Sequence, residues 1–166
     1  DAVRTAGLHP SSRLVSTETI EADKTLADKL GVAVGAPLLR MQRVRLIEGE
    51  PASIETAHVN LSLCPALSDH DFECESLYDV LLKEGGVRVE HGREHISISR
   101  LNAEEAELLQ QEEGTPVFYE STIEFDKDMR FVEHCKSVIL PTKFRFADNG
   151  EENGMRSVAG EQWLKQ

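Results

Sequence analysis

Residues 38–61 spell out one β-hairpin, and its spacing decides where three charged side chains fall. The run 38–47 is strand-like, Glu48-Gly49-Glu50-Pro51 is turn chemistry, and 52–61 runs back. Side chains alternate faces along a strand, so Arg43 and Arg45 point the same way, about 7 Å apart. With a loop of three residues (Glu48, Gly49, Glu50), Arg43 falls opposite Glu55 and Arg45 opposite Ser53. Both guanidinium groups and the carboxylate then share one face. Such a face either grips a small anion that also carries hydroxyls or amides, or forms a cross-strand ion pair on a solvated surface.

The rest of the chain sets limits around that hairpin. A length of 166 residues suits one domain with a real core. An apolar fraction of 40% with charges of both signs marks a folded globule. The formal charge of −12 opposes nucleic-acid binding through this surface, so any anion site must be local and built from chosen arginines. Cys64, Cys74 and Cys135 are an odd count without CxxC spacing and read as reduced thiols in a cytoplasmic protein. No apolar run approaches a membrane span, and the opening Asp1-Ala-Val-Arg4 is no signal peptide. The expectation is a soluble, cytoplasmic protein with no membrane partner.

Further elements follow from local signals. Residues 1–12 read as a polar arm, and 14–21 as an edge strand. A short helix spans 25–30 between an Asp23 cap and a Gly31 stop. A helix over 76–83 carries Leu77, Val80 and Leu81 at helical spacing and ends at Gly85-Gly86. A long strand is expected over 87–99, with a bulge at His91-Gly92 where its apolar register changes. Asn102 with Glu105 has capping-box spacing for a helix that Gly114-Thr-Pro116 would stop. A second hairpin, 117–125 with 131–140, turns around Asp126 to Arg130. The tail 147–166 is polar, with Trp163 as its anchor. The class is α+β, an antiparallel sheet with helices segregated to one side.

The order of these pieces resembles the UTRA domain, the effector-binding half of bacterial GntR-family transcription regulators of the HutC subfamily. The residues carrying the likeness are Leu26-Ala-Asp-Lys-Leu-Gly31, Gly35-Ala-Pro-Leu-Leu-Arg-Met-Gln-Arg-Val-Arg45, and Gly49-Glu-Pro51 with Glu55. Further on come Ser76-Leu-Tyr-Asp-Val-Leu81, Ala103-Glu-Glu-Ala-Glu-Leu-Leu109, Gly114-Thr-Pro-Val117, and Phe131-Val-Glu133 with Ser137. The resemblance implies a chorismate-lyase-like fold over 14–146, a homodimer, and a tail over 147–166. It also implies that 1–13 is a linker from a missing N-terminal winged helix-turn-helix through which operator DNA would be bound.

The resemblance carries effector contacts onto Arg43, Arg45, Glu55, Ser76, Tyr78 and Glu133. Their chemistry agrees. Guanidinium forks bind oxyanions. Glu55 and Glu133 accept hydrogen bonds from ligand hydroxyls or amides, and Tyr78 offers a ring face and a hydroxyl. Ser76 starts a helix, where backbone N–H groups favour an anion, although apart from the resemblance a plain helix cap is the better account of it. Ile139 stands where the family's sugar-phosphate sensors often have an aromatic residue, a departure from the amino-sugar phosphate pattern. His91, His95, His134 and Cys135 lack the tight spacing of metal ligands. No phosphate loop or nucleophile elbow is present, and nothing calls for a cofactor. The expected function is effector sensing, with a small anionic metabolite such as a sugar phosphate as ligand. The alternative is a chorismate-lyase-like enzyme acting on a small anionic substrate.

Overall fold

In the computed structural model, residues 7–148 and 155–159 are described, with 144–148 and 155–159 described by their backbone. Six strands form one antiparallel sheet: β1 (Pro10–Glu21), β2 (Pro37–Ile47), β3 (Glu50–Asn60), β4 (His91–Arg100), β5 (Pro116–Phe125) and β6 (Phe131–Ile139), in the order β1-β2-β3-β6-β5-β4. Helix α1 (Lys24–Leu30) lies between β1 and β2, α2 (Leu77–Gly85) between β3 and β4, and α3 (Ala103–Leu109) between β4 and β5. Strands β7 (Phe144–Asp148) and β8 (Met155–Ala159) pair with each other; the sequence reading had taken this region as tail. Trp163 lies outside the described residues.

The helices begin where the caps require. The Asp23 side chain accepts from the Leu26 N–H, and Gly31 ends α1 in the left-handed region. Asn102 and Glu105 form the reciprocal capping box of α3. That helix stops at Gln110, which adopts the left-handed conformation itself, four residues before Gly114.

The β2–β3 register puts Arg43 opposite Glu55 and Arg45 opposite Ser53, as the spacing predicted. The route is different. The turn has two residues, Glu48 and Gly49, both with positive φ (52° and 80°), and Ile47 pairs with Glu50. A bulge between Arg45 and Leu46 in the pairing then supplies the one-residue shift that a longer loop would have given.

Three expectations need correction. The bulge placed at His91-Gly92 is absent: β4 pairs with β5 in unbroken register from His91 to Arg100. Its apparent register change arises because residues before His91 have left the sheet, and Val87 packs in the core beneath α2. The first strand starts at Pro10 rather than Leu14. The helices also occupy both faces of the sheet. Leu39 and Met41 pack with Leu77, Val80 and Leu81 of α2. Val44 and Ile54 face the other way, onto Ala106 and Leu109 of α3, and Leu38 packs with Ala27 and Leu30 of α1. β2 carries apolar residues on both of its faces, Leu39 and Met41 on one and Leu38 and Val44 on the other, as cover on both sides requires.

Removing packing at the α2 contact and removing a cap should differ in size. Leu81→Ala, at a fully buried position, is expected to cost about 2–5 kcal/mol. Asn102→Ala is expected to cost about 1 kcal/mol. Urea unfolding of both variants checks the order.

Candidate functional site

The face under α2 is assembled in rows across the sheet. One row reads Ser12, Arg45, Ser53, Ile139 and Phe118 from β1 to β5; the next reads Leu14, Arg43, Glu55, Ser137 and Glu120. Two rows further along stand Val59, Glu133 and Glu124. Between them lie Ala57 and Cys135, both short. Four residues of strand separate Glu55 from Val59, so the two polar ends stand about 13 Å apart at the backbone, with a low floor between.

At the first end, one carboxylate holds both arginines. Arg43 Nη2 donates to Glu55 Oε2 at 3.1 Å, and Arg45 Nε lies 3.7 Å from Glu55 Oε1. Arg45 Nη1 also donates to Ser12 Oγ at 2.6 Å. Arg43 is buried, whereas the Arg45 side chain is one-third exposed.

At the second end, the Tyr78 hydroxyl from the first turn of α2 sits between two carboxyl groups, 2.6 Å from Glu133 Oε2 and 2.7 Å from Glu124 Oε2. One hydroxyl proton cannot serve two carboxylates, so the trio holds a second proton. Glu133 is buried to 4% exposure. That burial, reinforced by the negative charges of Glu124 and Glu55, pushes its carboxyl up to about 8, against the pull of the Tyr78 hydroxyl and Arg43. Burial first, and then both carboxylates, likewise raise the Tyr78 hydroxyl and keep it protonated. Glu120 is pushed up to about 8 by burial and by its hydrogen bond with Glu94, with Ser137 opposing. Cys135 is held as a thiol, well above its ordinary value, by burial and by Glu55 and Glu133.

Five of the six expected residues therefore gather over one face: Arg43, Arg45 and Glu55 at one end, Tyr78 and Glu133 at the other. The sixth, Ser76, is exposed and spends its hydroxyl on the Asp79 N–H of α2 at 3.4 Å, which is the capping role. Sequence reasoning missed Ser12, Glu120 and Glu124. The last two were findable, since the second hairpin places Glu124 opposite Glu133 once its register is fixed. Ile139 is buried beside Ser53 and Phe118 and gives the Arg45 end an apolar wall. His134 and Cys135 are adjacent in sequence and so point to opposite faces of the sheet.

Lined by forks, carboxyls and a phenol, this face can bind a small molecule with an anionic group and several hydroxyl or amide groups. Chemically it offers no thiolate.

The model of the UTRA domain family matches residues 5–145, and the chain belongs to that family. It is 26% identical over 144 residues to the HTH-type transcriptional repressor NagR of Bacillus subtilis, covering 87% of this chain and 59% of the relative. To the HTH-type transcriptional repressor PhnF of Mycolicibacterium smegmatis it is 28% identical over 146 residues, covering 88% and 59%. The crystal structure of the effector domain of PhnF from Mycobacterium smegmatis superposes with a TM-score of 0.77 at 29% identity, covering 84% of this chain and 85% of that one. The chain thus spans about three-fifths of the length of these curated relatives. The likeness is to transcription regulators and their effector domains, not to enzymes.

The proton on Glu133 should be visible in stability. Its folded value lies above its unfolded one, so between about pH 5 and pH 8 the folded state binds more protons and stability falls as pH rises. The slope is at most about 1.4 kcal/mol per pH unit for one group. Glu120 contributes with the same sign. His134, lowered to about 4 by burial, acts oppositely: its contribution grows with pH up to its unfolded value. Above about pH 6.5, the ordinary histidine value, the carboxyls therefore dominate. Glu133→Gln is expected to flatten the decline there, as read from urea midpoints.

Proposed function

We propose that this UTRA domain is the effector-sensing part of a GntR-type, HutC-subfamily transcription regulator working as a homodimer in the cytoplasm. Its effector is a small anionic metabolite rich in hydroxyls, a sugar phosphate or a close chemical relative, and operator DNA is bound by a winged helix-turn-helix outside this chain. One observation carries the reading: Arg43 and Arg45 share Glu55 on the face where Tyr78 and Glu133 wait about 13 Å away. The relatives' helix-turn-helix names, beside a chain of about three-fifths their length, support the DNA-binding part.

In this reading the ligand's anionic group takes the outer guanidinium of Arg45, while Glu55 and Glu133 accept from its hydroxyls. Ser76, exposed two residues before Tyr78, caps α2. Arg45 links the site to β1 through Ser12, so re-aiming it reaches the strand that leads back to the start of the chain. The effector shifts the dimer's arrangement by no more than its difference in affinity for the two states.

Calorimetric titration with sugar phosphates and related carboxylates tests the site. A true effector at 100 times its Kd adds about 2.7 kcal/mol of stability. Arg45→Ala should weaken it roughly tenfold to a hundredfold, from the loss of about 1.5–3 kcal/mol of charge-assisted bonding. Unchanged affinity in that variant would sink the assignment.

Assembly has its own test. β4 is an edge strand exposed along nearly its whole length, with Ile98 at 79% exposure, and its unpaired backbone edge and that exposed isoleucine favour pairing with a second copy. Sedimentation at micromolar concentration should give twice the 18.5 kDa chain mass, and Ile98→Lys should shift it toward monomer. A monomeric wild type would overturn the dimer.

A further inference from the structure

The opposite face of the sheet holds a second polar cluster that the effector reading does not use. Between the patch covered by α1 and the patch covered by α3, two rows are polar instead of apolar. One reads Arg40, His58, His134 and Ile123 from β2 to β5; the other reads Gln42, Thr56, Lys136 and Ser121. His58 and His134 are direct strand partners with stacked rings, 6.3 Å between centroids and 21° between planes. His134 is 2% exposed, and its Nε2 meets Ser121 Oγ at 3.1 Å.

Two facts make this cluster unusual. The Nδ1 atoms of both histidines are buried with no hydrogen-bond partner, a cost that native proteins rarely leave unmet. The nearby charge is mainly positive. Lys136 stands on β6 two residues from His134 and on the same face, and Lys29 lies in the last turn of α1; each depresses the two imidazoles, and Lys136 depresses Lys29. Arg40 is already held by Glu18 of β1 at 2.9 Å. Among the described residues neither lysine has a carboxylate partner, in a chain with 30 acidic residues. Two lysines in the neighbourhood of two unsatisfied imidazole nitrogens repel a cation and suit an oxyanion, which accepts from N–H donors of both kinds.

We propose that His58, His134, Lys29 and Lys136 form a second, anion-binding site on the face of the sheet opposite the effector site, taking a small tetrahedral oxyanion such as inorganic phosphate. The bound anion satisfies both Nδ1 atoms as donors and neutralises the two lysines. It ties the end of α1 to β3 and β6, the centre of the sheet. The site does not depend on the effector reading, because it uses none of those side chains.

The test follows the imidazoles directly, so that phosphate reaching Arg43 and Arg45 is not mistaken for it. Nitrogen-15 NMR of the histidine rings is recorded during titration with inorganic phosphate, and with sodium chloride at matched ionic strength. Saturable shifts of the His58 and His134 Nδ1 resonances by phosphate, absent with chloride, are expected, and phosphate should raise the titration midpoints of both rings. Binding should weaken about tenfold or more in Lys136→Met. Lys29→Gln, on an exposed helix position that leaves the fold intact, should weaken it as well. Rings unmoved by phosphate, or moved equally by chloride or in both lysine variants, would overturn the site and leave water as the partner of the two nitrogens.

Discussion

Glu55 holds two guanidinium groups on one face of a sheet, and everything charged on that face is arranged around this contact. The pairing depends on register. Side chains alternate with a period of two, so a slip of one residue between β2 and β3 would turn Glu55 away and bring Ile54 or Thr56 toward Arg43. The positive-φ turn at Glu48-Gly49 and the bulge at Arg45/Leu46 together exclude that slip. The rows continue through β6 and β5 without a shift until Glu124, which aligns Ser137 and Glu120 with Glu55 and places Glu133 and Glu124 on the same face.

A sheet packed on both faces gives this domain two unlike middles. Each face combines apolar ground packed against helices with a stretch of polar ground. Under α2 the polar ground is acidic, with two arginines shared by one glutamate and two further glutamates holding protons near neutral pH. On the reverse it is basic, with histidines kept neutral by burial and by the nearby lysines. The same physics operates on both: a buried ionisable group surrenders its charge unless a partner compensates it. Arg43 has Glu55 beside it as a compensating partner; Glu133, deeper and among like charges, holds a proton instead.

Much of this was legible in the sequence, for identifiable reasons. Turn residues, caps and alternation are local, so the two hairpins, the Asp23 and Asn102 caps and the facing of Arg43 to Glu55 could be read directly. What could not be read was non-local. Whether β2 is covered on one face or two depends on where α1 and α3 return, and no periodicity within β2 records that. The supposed bulge at His91 failed for a related reason: an apolar register change looks the same whether a strand bulges or simply ends. In the site, Arg43, Arg45 and Glu55 lie within one hairpin. Glu124 and Glu133 face each other across the second hairpin, but Tyr78 reaches them only through tertiary packing, and the resemblance to UTRA domains supplied Tyr78 and Glu133. The His58–His134 pair was invisible for the same reason, its members standing 76 positions apart in sequence, as their numbers show.

The Glu55 contacts bear on how sensing can work. With Glu55 bridging both arginines, their charge is already compensated within the protein, and an incoming anion must compete with an internal carboxylate. A bare anion gains little from that exchange, because it replaces one charge-assisted contact with another and leaves Glu55 partly buried without its cations. A ligand that also donates hydroxyl hydrogens changes the balance, since it satisfies the displaced Glu55 and meets Glu133 and Tyr78 at the far end of the floor. Discrimination against simple phosphate or sulfate then comes from the carboxyls rather than from the arginines. The protons on Glu133 and Glu120 act in the same direction, by removing negative charge that would otherwise repel the ligand. The acidity of this face is therefore compatible with an anionic effector, provided the effector carries donors as well as charge.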